Sequence, residues 1–212
     1  MKFIQLILIS LLLIALPTIV QAQKQTDNFL EQHKIKSIAI LPPVGESVPS
    51  SVRVSAGALF VSEAQRQLKE LKITLPEETT TALEKTNRLD DFTSFLNLFI
   101  KTGTVNKSPL ARIGESLATD AILLIDVQDF EAQNGSWMRA RNGHNSARVQ
   151  YTLFSPAGEQ LWQHLVVYTH TPQFTAKADK AEKVMQDVSR RAVSALMRGI
   201  QNSDPKKDVE VP

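Results

Sequence analysis

Two acidic residues hold the best position for chemistry in this sequence. Asp126 and Asp129 lie on or just after an apolar run at residues 121–127, which has the composition of a strand covered on both faces. Sites of α/β proteins often lie at the end of such a strand. On a straight strand, however, the two side chains point to opposite faces, and neither has a partner for acid/base work. A hydrolase or transferase using Asp126 or Asp129 is therefore only an alternative hypothesis.

The other residues with chemical potential do not form a site. His164 and His170 would lie about 20 Å apart along one strand, which is too far for them to share a metal ion. The serines lack the Gly-x-Ser-x-Gly elbow of a hydrolase. Gly45, beside Glu46, matches neither a P-loop nor a dinucleotide fingerprint. We therefore expect no catalytic residue, no metal ion and no cofactor.

The composition narrows the class of protein further. The 212 residues suit one domain and a targeting segment, with 42% hydrophobic and 22% charged residues. The net charge of +2 lacks the basic excess of nucleic-acid-binding proteins, so we expect no nucleic-acid partner. The chain has no cysteine, which excludes disulfides, thiolate metal sites and lipid attached to an N-terminal cysteine.

The first 22 residues have the pattern of a signal peptide. Lys2 supplies the positive charge, residues 3–16 are almost wholly aliphatic, Pro17 interrupts them, and Val20 and Ala22 are the small residues before a cleavage site. We predict cleavage after Ala22 and a periplasmic mature protein. The alternative is an uncleaved anchor, because the apolar stretch approaches the ~20 residues that span a bilayer. Membrane association is expected only in that case.

The remaining pattern predicts the order β-α-β-α-α-α-β-β-β-α. We expect a linker or short helix at residues 23–35, an α/β (α+β) domain at residues 36–202 and a disordered tail at residues 203–212. The domain would contain a single mixed β-sheet flanked by helices, with two βαβ crossovers followed by a β-meander and a C-terminal helix. Its central strand would lie at residues 120–130. The first long helix would bury one apolar stripe: Val54, Ala58, Val61, Ala64, Leu68 and Leu71.

Two segments supply candidate protein contacts. Residues 89–100 are apolar over more than half of a helix, so Phe92, Phe95 and Phe99 belong either to the core or to an exposed face. Trp137, Arg139 and Arg141 lie in a turn-rich stretch, and Trp and Arg are enriched at protein interfaces. A solvated hairpin is the alternative for this second group.

Three segments together resemble a known group of proteins. They are residues 37–43 (SIAILPP), 110–124 (LARIGESLATDAILL) and 156–162 (PAGEQLW). Their order and spacing are similar to those of the envelope lipoprotein superfamily that includes the curli-secretion channel subunit and the penicillin-binding-protein activator lipoproteins. Members share a domain like the N-terminal domain of TolB. The resemblance spans residues 36–200.

This resemblance implies a non-enzymatic envelope accessory protein that binds other envelope proteins in assembly, activation or transport. It carries over no binding site, because the shared motifs are strand and turn positions. Gln23 stands where the family has its lipidated cysteine, so anchoring by lipid is not expected. The chain also lacks the long alternating insertions of the channel-forming branch. A membrane-anchored subunit of a secretion or transport system is the alternative function.

The signal-peptide interpretation is tested by the N-terminus of the mature protein. We expect Edman sequencing or mass spectrometry of the exported chain to begin at Gln23, because a signal peptidase cuts after a small residue. Recovery of a chain that retains residues 1–22 would instead support the anchored alternative.

Overall fold

A mixed five-stranded sheet organises the protein. The computed structural model describes residues 28–134, 143–171 and 180–201. The strands lie in the order β2-β1-β3-β4-β5. β1 is parallel to β2 and β3, whereas β3, β4 and β5 run antiparallel to one another. Their bounds are β1 Ser37–Ile40, β2 Lys72–Thr74, β3 Ala121–Gln133, β4 His144–Phe154 and β5 Gln160–His170.

Helices cover both faces of this sheet. They are α1 Phe29–Gln32, α2 Ser50–Gln67, α3 Pro76–Lys85, α4 Leu89–Thr102, α5 Lys107–Leu117 and α6 Ala181–Arg198. The helices α1, α2 and α6 pack on one face of the sheet, and α3, α4 and α5 pack on the other. The predicted element order and the mixed sheet with a C-terminal helix are confirmed. Within the described residues, none of the helices has both the length and the apolarity to cross a bilayer.

The start of β3 separates the two cores. Leu123 and Ile125 point into the core under α2 and α6, while Ile122 and Leu124 point into the core under α3, α4 and α5. All four side chains are fully buried. This two-sided burial explains why the run lacks the alternation of polar and apolar residues that a half-exposed strand would show.

Asp120 fixes the entry into β3. Its Oδ2 accepts hydrogen bonds from the backbone N–H of Lys36 and of Ser37, each at 2.9 Å, and from the Ser37 hydroxyl. The Asp120 N–H donates to Ser37 Oγ in return. These hydrogen bonds, the one from Lys36 above all, lower the pKa of the Asp120 carboxyl. One carboxylate thus ties the start of β3 to the start of β1.

Removing the Asp120 charge should make the protein less stable at neutral pH. We expect Asp120→Asn to lower the free energy of unfolding by about 1 kcal/mol at pH 7, because the lost hydrogen bonds are charge-assisted but exposed to water. The folded pKa is depressed, so the stabilisation is present above the unfolded pKa of ~4 and is lost as pH falls through the folded value.

Urea titrations at pH 7 and pH 3 provide the measurement. The difference between wild type and Asp120→Asn should be smaller at pH 3. Glu70→Gln, which also removes an exposed carboxylate, serves as the control. An equal difference at both pH values would contradict the role of the ionised Asp120 carboxylate.

Candidate protein-binding groove

An apolar groove lies between α2 and the start of α3. Its volume is about 470 Å³. Pro42 and Pro43 follow β1 and Leu75 follows β2, so the groove lies at the carboxyl ends of two parallel strands, where α/β proteins commonly bind ligands. The lining residues are mainly small or aliphatic: Pro42, Pro43, Ser50, Arg53, Val54, Gly57, Ala58, Val61, Leu75, Pro76, Glu77 and Thr80.

Local sequence explains the walls of the groove. Pro42 and Pro43 cannot continue the hydrogen-bond ladder, so β1 ends before them. Gly57 allows α2 to approach this loop, because a Cβ at this position would lie 2.7 Å from Cγ of Pro43. Pro76 begins α3 at the position where a helix does not need the missing N–H. The backbone conformations that three prolines and a glycine impose thus form the walls of the groove.

The N-terminal part of the predicted α2 stripe is not buried. Val54 is 63% exposed, and Ala58 is also exposed. The prediction is wrong for these two residues and right for Val61, Ala64 and Leu68, which are buried. The buried residues in this part of α2 are instead Val52, Ala56 and Phe60, which pack in the core with the sheet and α6. Helix α2 therefore has more apolar surface than the described residues cover.

Arg53 brings a guanidinium group to this apolar groove. Its Nε is buried and has no hydrogen-bond partner within the described part of the chain. The guanidinium also forms no ion pair with any described residue, although Glu77 lines the same groove. A buried N–H donor without an acceptor loses its hydrogen bond to water without compensation. The groove therefore suits an occupant that brings a carboxylate or carbonyl oxygen to Arg53.

A larger cavity lies at the other end of α2. It has a volume of about 1040 Å³, and charged side chains such as Lys34, Lys69 and Glu70 are among its lining residues. Its mixed charges select neither anions nor cations. Asn28, the first described residue, is part of its wall. The groove beside Val54 is the better candidate site because its apolar surface is uncovered.

Asp126 and Asp129 lie on the same face of the sheet, not on opposite faces. Asp126 pairs with Gln150 and Asp129 pairs with Arg148, two residues apart on β4, because a bulge at Gln128 inserts one extra residue into β3. The bulge shifts the side-chain alternation by one position. The expectation from a straight strand is therefore wrong, and the reason is a register change that depends on the partner strand.

The surroundings of Asp126 combine burial with a small hydrogen-bond network. Burial raises the pKa of its carboxyl, a hydrogen bond from Gln128 acts in the opposite direction, and the Glu46 carboxylate raises it further. Arg148 donates to Gln128 Oε1 at 2.9 Å rather than to the carboxylate. The Asp126 carboxylate accepts a hydrogen bond from the Gln128 amide and forms no ion pair within the described part of the chain. The same part of the chain also contains no group of three potential metal ligands.

The predicted aromatic contacts on α4 are mostly interior. Phe95 and Phe99 are 0% and 5% exposed, and both pack edge-on against Phe154 with ring centroids 5.6 and 5.8 Å away. Phe92 is partly buried against the same core. Phe95 and Phe99 therefore belong to the core, which was the alternative interpretation, and offer no surface to a partner. Trp137, Arg139 and Arg141 lie outside the described residues.

Sequence reasoning did not identify Arg53, Val54, Leu75 or Pro76 as site residues. A signal was present, because apolar residues occupy two adjacent stripes of α2, one through Val52 and one through Val54. Such a breadth indicates either a helix buried on all sides or a face offered to another molecule. The two interpretations separate only when the neighbours of the helix are known.

The coordinates define an open mixed-sheet α+β domain, and solved structures share features of this fold. The hypothetical protein CT253 from Chlamydia trachomatis matches with a TM-score of 0.52 at 9% identity, over 78% of this chain and 97% of that one. Lipoprotein GNA1162 from Neisseria meningitidis matches with a TM-score of 0.44 at 14% identity, over 76% and 96%. The LpoB C-terminal domain from Escherichia coli matches with a TM-score of 0.36 at 9% identity, over 68% and 98%.

These similarities concern the fold alone. No family model and no curated protein matches the sequence. The likeness to the curli-secretion channel subunit stays a resemblance of motifs.

The exposure of the groove is tested by two matched substitutions on α2. Val54→Ala should change the free energy of unfolding by less than about 0.5 kcal/mol, as is usual for an exposed residue. Val52→Ala should lower it by about 2 kcal/mol, because two buried carbons at about 0.8 kcal/mol each leave a cavity.

Both positions lie on the same helix, so the change in helix propensity cancels between the two variants. Urea titration followed by circular dichroism measures the difference. Equal losses for Val54→Ala and Val52→Ala would show that the Val54 side of α2 is buried.

Proposed function

We propose that this chain is a non-catalytic accessory protein of the bacterial cell envelope that binds another envelope protein through the groove beside Val54. It would serve assembly, activation or transport scaffolding. The observation that carries the proposal is the uncovered apolar surface of α2, with Val54 63% exposed beside the unpaired Arg53. The compartment is supported by the signal-peptide pattern and by the motifs that resemble the envelope lipoprotein superfamily.

The chemistry of the groove favours protein binding over catalysis. An active site brings together groups that exchange protons or stabilise developing charge. Here one guanidinium and one carboxylate, from Arg53 and Glu77, flank a floor of proline, valine, alanine and leucine. A surface with an apolar centre and an arginine at its rim is typical of a protein interface.

Two other functions are separated from this one by specific observations. An anchored subunit of a secretion or transport system would retain residues 1–22. A hydrolase or transferase would require a basic or nucleophilic group beside Asp126 or Asp129, whereas the Asp126 carboxylate accepts a hydrogen bond from the Gln128 amide. The stretch with Trp137, Arg139 and Arg141 is a second proposed contact for the same partner.

Site-specific crosslinking in living cells tests the proposal. Replacing Val54 with p-benzoylphenylalanine should give a light-dependent adduct with one discrete envelope protein, identified by mass spectrometry, because an occupied groove places the partner against this side chain. The control is the same replacement at Val167, an exposed valine on β5 that is 45% exposed. No adduct from Val54, or an equal set of adducts from both positions, would contradict the proposal.

Cells that carry the crosslinker at position 54 can also test the second proposed contact, the stretch with Trp137, Arg139 and Arg141. If Trp137→Ala combined with Arg139→Ala leaves the yield of the Val54 adduct unchanged, that stretch does not contribute to the interface. A loss of yield of severalfold would assign it to the same interface, since truncation of interface Trp and Arg side chains commonly weakens binding.

A further inference from the structure

The outer edge of β2 has an unpaired backbone position. The Lys72 N–H donates to the Lys36 carbonyl at 2.9 Å, and the register pairs Ile73 with Ile38. Backbone groups of successive residues in a parallel ladder point to alternate sides, so the N–H and C=O of Ile73 point away from β1. β2 is the last strand on its side of the sheet, and no strand in the described part of the chain pairs with this edge.

This open edge is continuous with the groove. Leu75, two residues after Ile73, is part of the groove wall, and both side chains pack partly buried against the core on the α2 side. An added strand at the Ile73 edge would therefore place alternate side chains along the α2 flank that carries Val54 and Ala58. Backbone hydrogen bonds and side-chain burial would be satisfied by the same segment.

The charges around the groove specify one more property of the occupant. Arg53 has a buried Nε without an acceptor among the described residues, and Glu77 lines the same groove without an ion pair to any of them. A carboxylate beside Arg53 would form a charge-assisted hydrogen bond in a partly dry environment. Charge complementarity therefore favours an acidic residue in the segment at the Arg53 side.

We propose that the groove binds an extended, mainly aliphatic strand of the partner protein, which pairs with the Ile73 backbone and presents a carboxylate to Arg53. This inference rests on the proposed function and adds the chemistry of the partner segment. An amphipathic helix satisfies its own backbone and would leave the N–H and C=O of Ile73 unpaired. An extended strand uses both the edge and the groove.

Peptide titration monitored by NMR tests this inference on the mature chain. The probes are acetylated and amidated hexapeptides that alternate aliphatic and polar residues, with one glutamate placed at each polar position in turn. At least one probe should shift the amide resonances of Gly57, Ala58, Ile73 and Leu75. Its glutamine analogue, and an analogue N-methylated at alternate backbone nitrogens, should each bind at least about fivefold more weakly.

Matched variants distinguish the contact of the peptide with Arg53 from its contact with Val54. Arg53→Gln should weaken the glutamate peptide about tenfold and leave its glutamine analogue unchanged, since only the charge-assisted hydrogen bond is lost. Val54→Glu should abolish binding of both peptides. Lys69→Gln and Val167→Glu, which change an exposed cation and an exposed valine elsewhere, should have no effect on binding.

The outcomes separate this inference from the proposed function. If Val54 crosslinks to an envelope protein but no hexapeptide shifts the groove resonances, the strand mode is wrong and the proposed function stands. Equal binding of the glutamate and glutamine peptides would overturn the role of Arg53. If the mature chain alone forms a dimer that Val54→Glu abolishes, the occupant is a second copy, and the proposed partner strand is wrong.

Discussion

Strand β3 must be shielded from water on two faces and paired along two edges, and the rest of the fold depends on this constraint. Its first five residues are fully buried. They pair with β1 in parallel on one side and with β4 antiparallel on the other. A parallel neighbour requires a long crossover connection, whereas an antiparallel one needs only a tight turn. The helices between β1 and β3 are a consequence of placing this one strand beside a parallel neighbour.

The same constraint applies to only part of β3. The pairing with β4 continues for several residues past the bulge at Gln128, beyond the apolar section, and there the strand carries Asp129 and Glu131 instead of aliphatic residues. Gln128 donates to Asp126 and to Gln150 and accepts from Arg148, so this region satisfies its polar groups within the sheet. A hydrogen-bonded polar surface of this kind tolerates water on one face. The part of β3 after the bulge therefore has polar, hydrogen-bonded side chains, whereas the part before it has buried aliphatic ones.

Helix α2 carries more apolar surface than its described neighbours cover. The sheet and α6 cover Val52, Ala56 and Phe60, while the flank with Val54 faces the groove. The proline pair after β1 and Pro76 at the start of α3 line the groove beside this flank. The uncovered flank, the unpaired Arg53 and the open edge of β2 lie together, and this coincidence supports an interface rather than an incompletely packed core.

The sequence by itself determined the order of the elements and the central position of residues 120–130, because local propensity and hydrophobic periodicity are properties of neighbouring residues. The sequence did not decide whether Phe95 and Phe99 are interior or exposed, since the breadth of an apolar face does not state what covers it. Tertiary structure decided three matters: that Asp126 and Asp129 share a face, that Val54 is exposed while Val52 is buried, and that Arg53 has no partner among the described residues. Each depends on contacts between residues far apart in the chain, namely a bulge defined by β4, the side of α2 that the sheet and α6 leave uncovered, and the residues around one guanidinium. Periodicity along a single element does not contain that information.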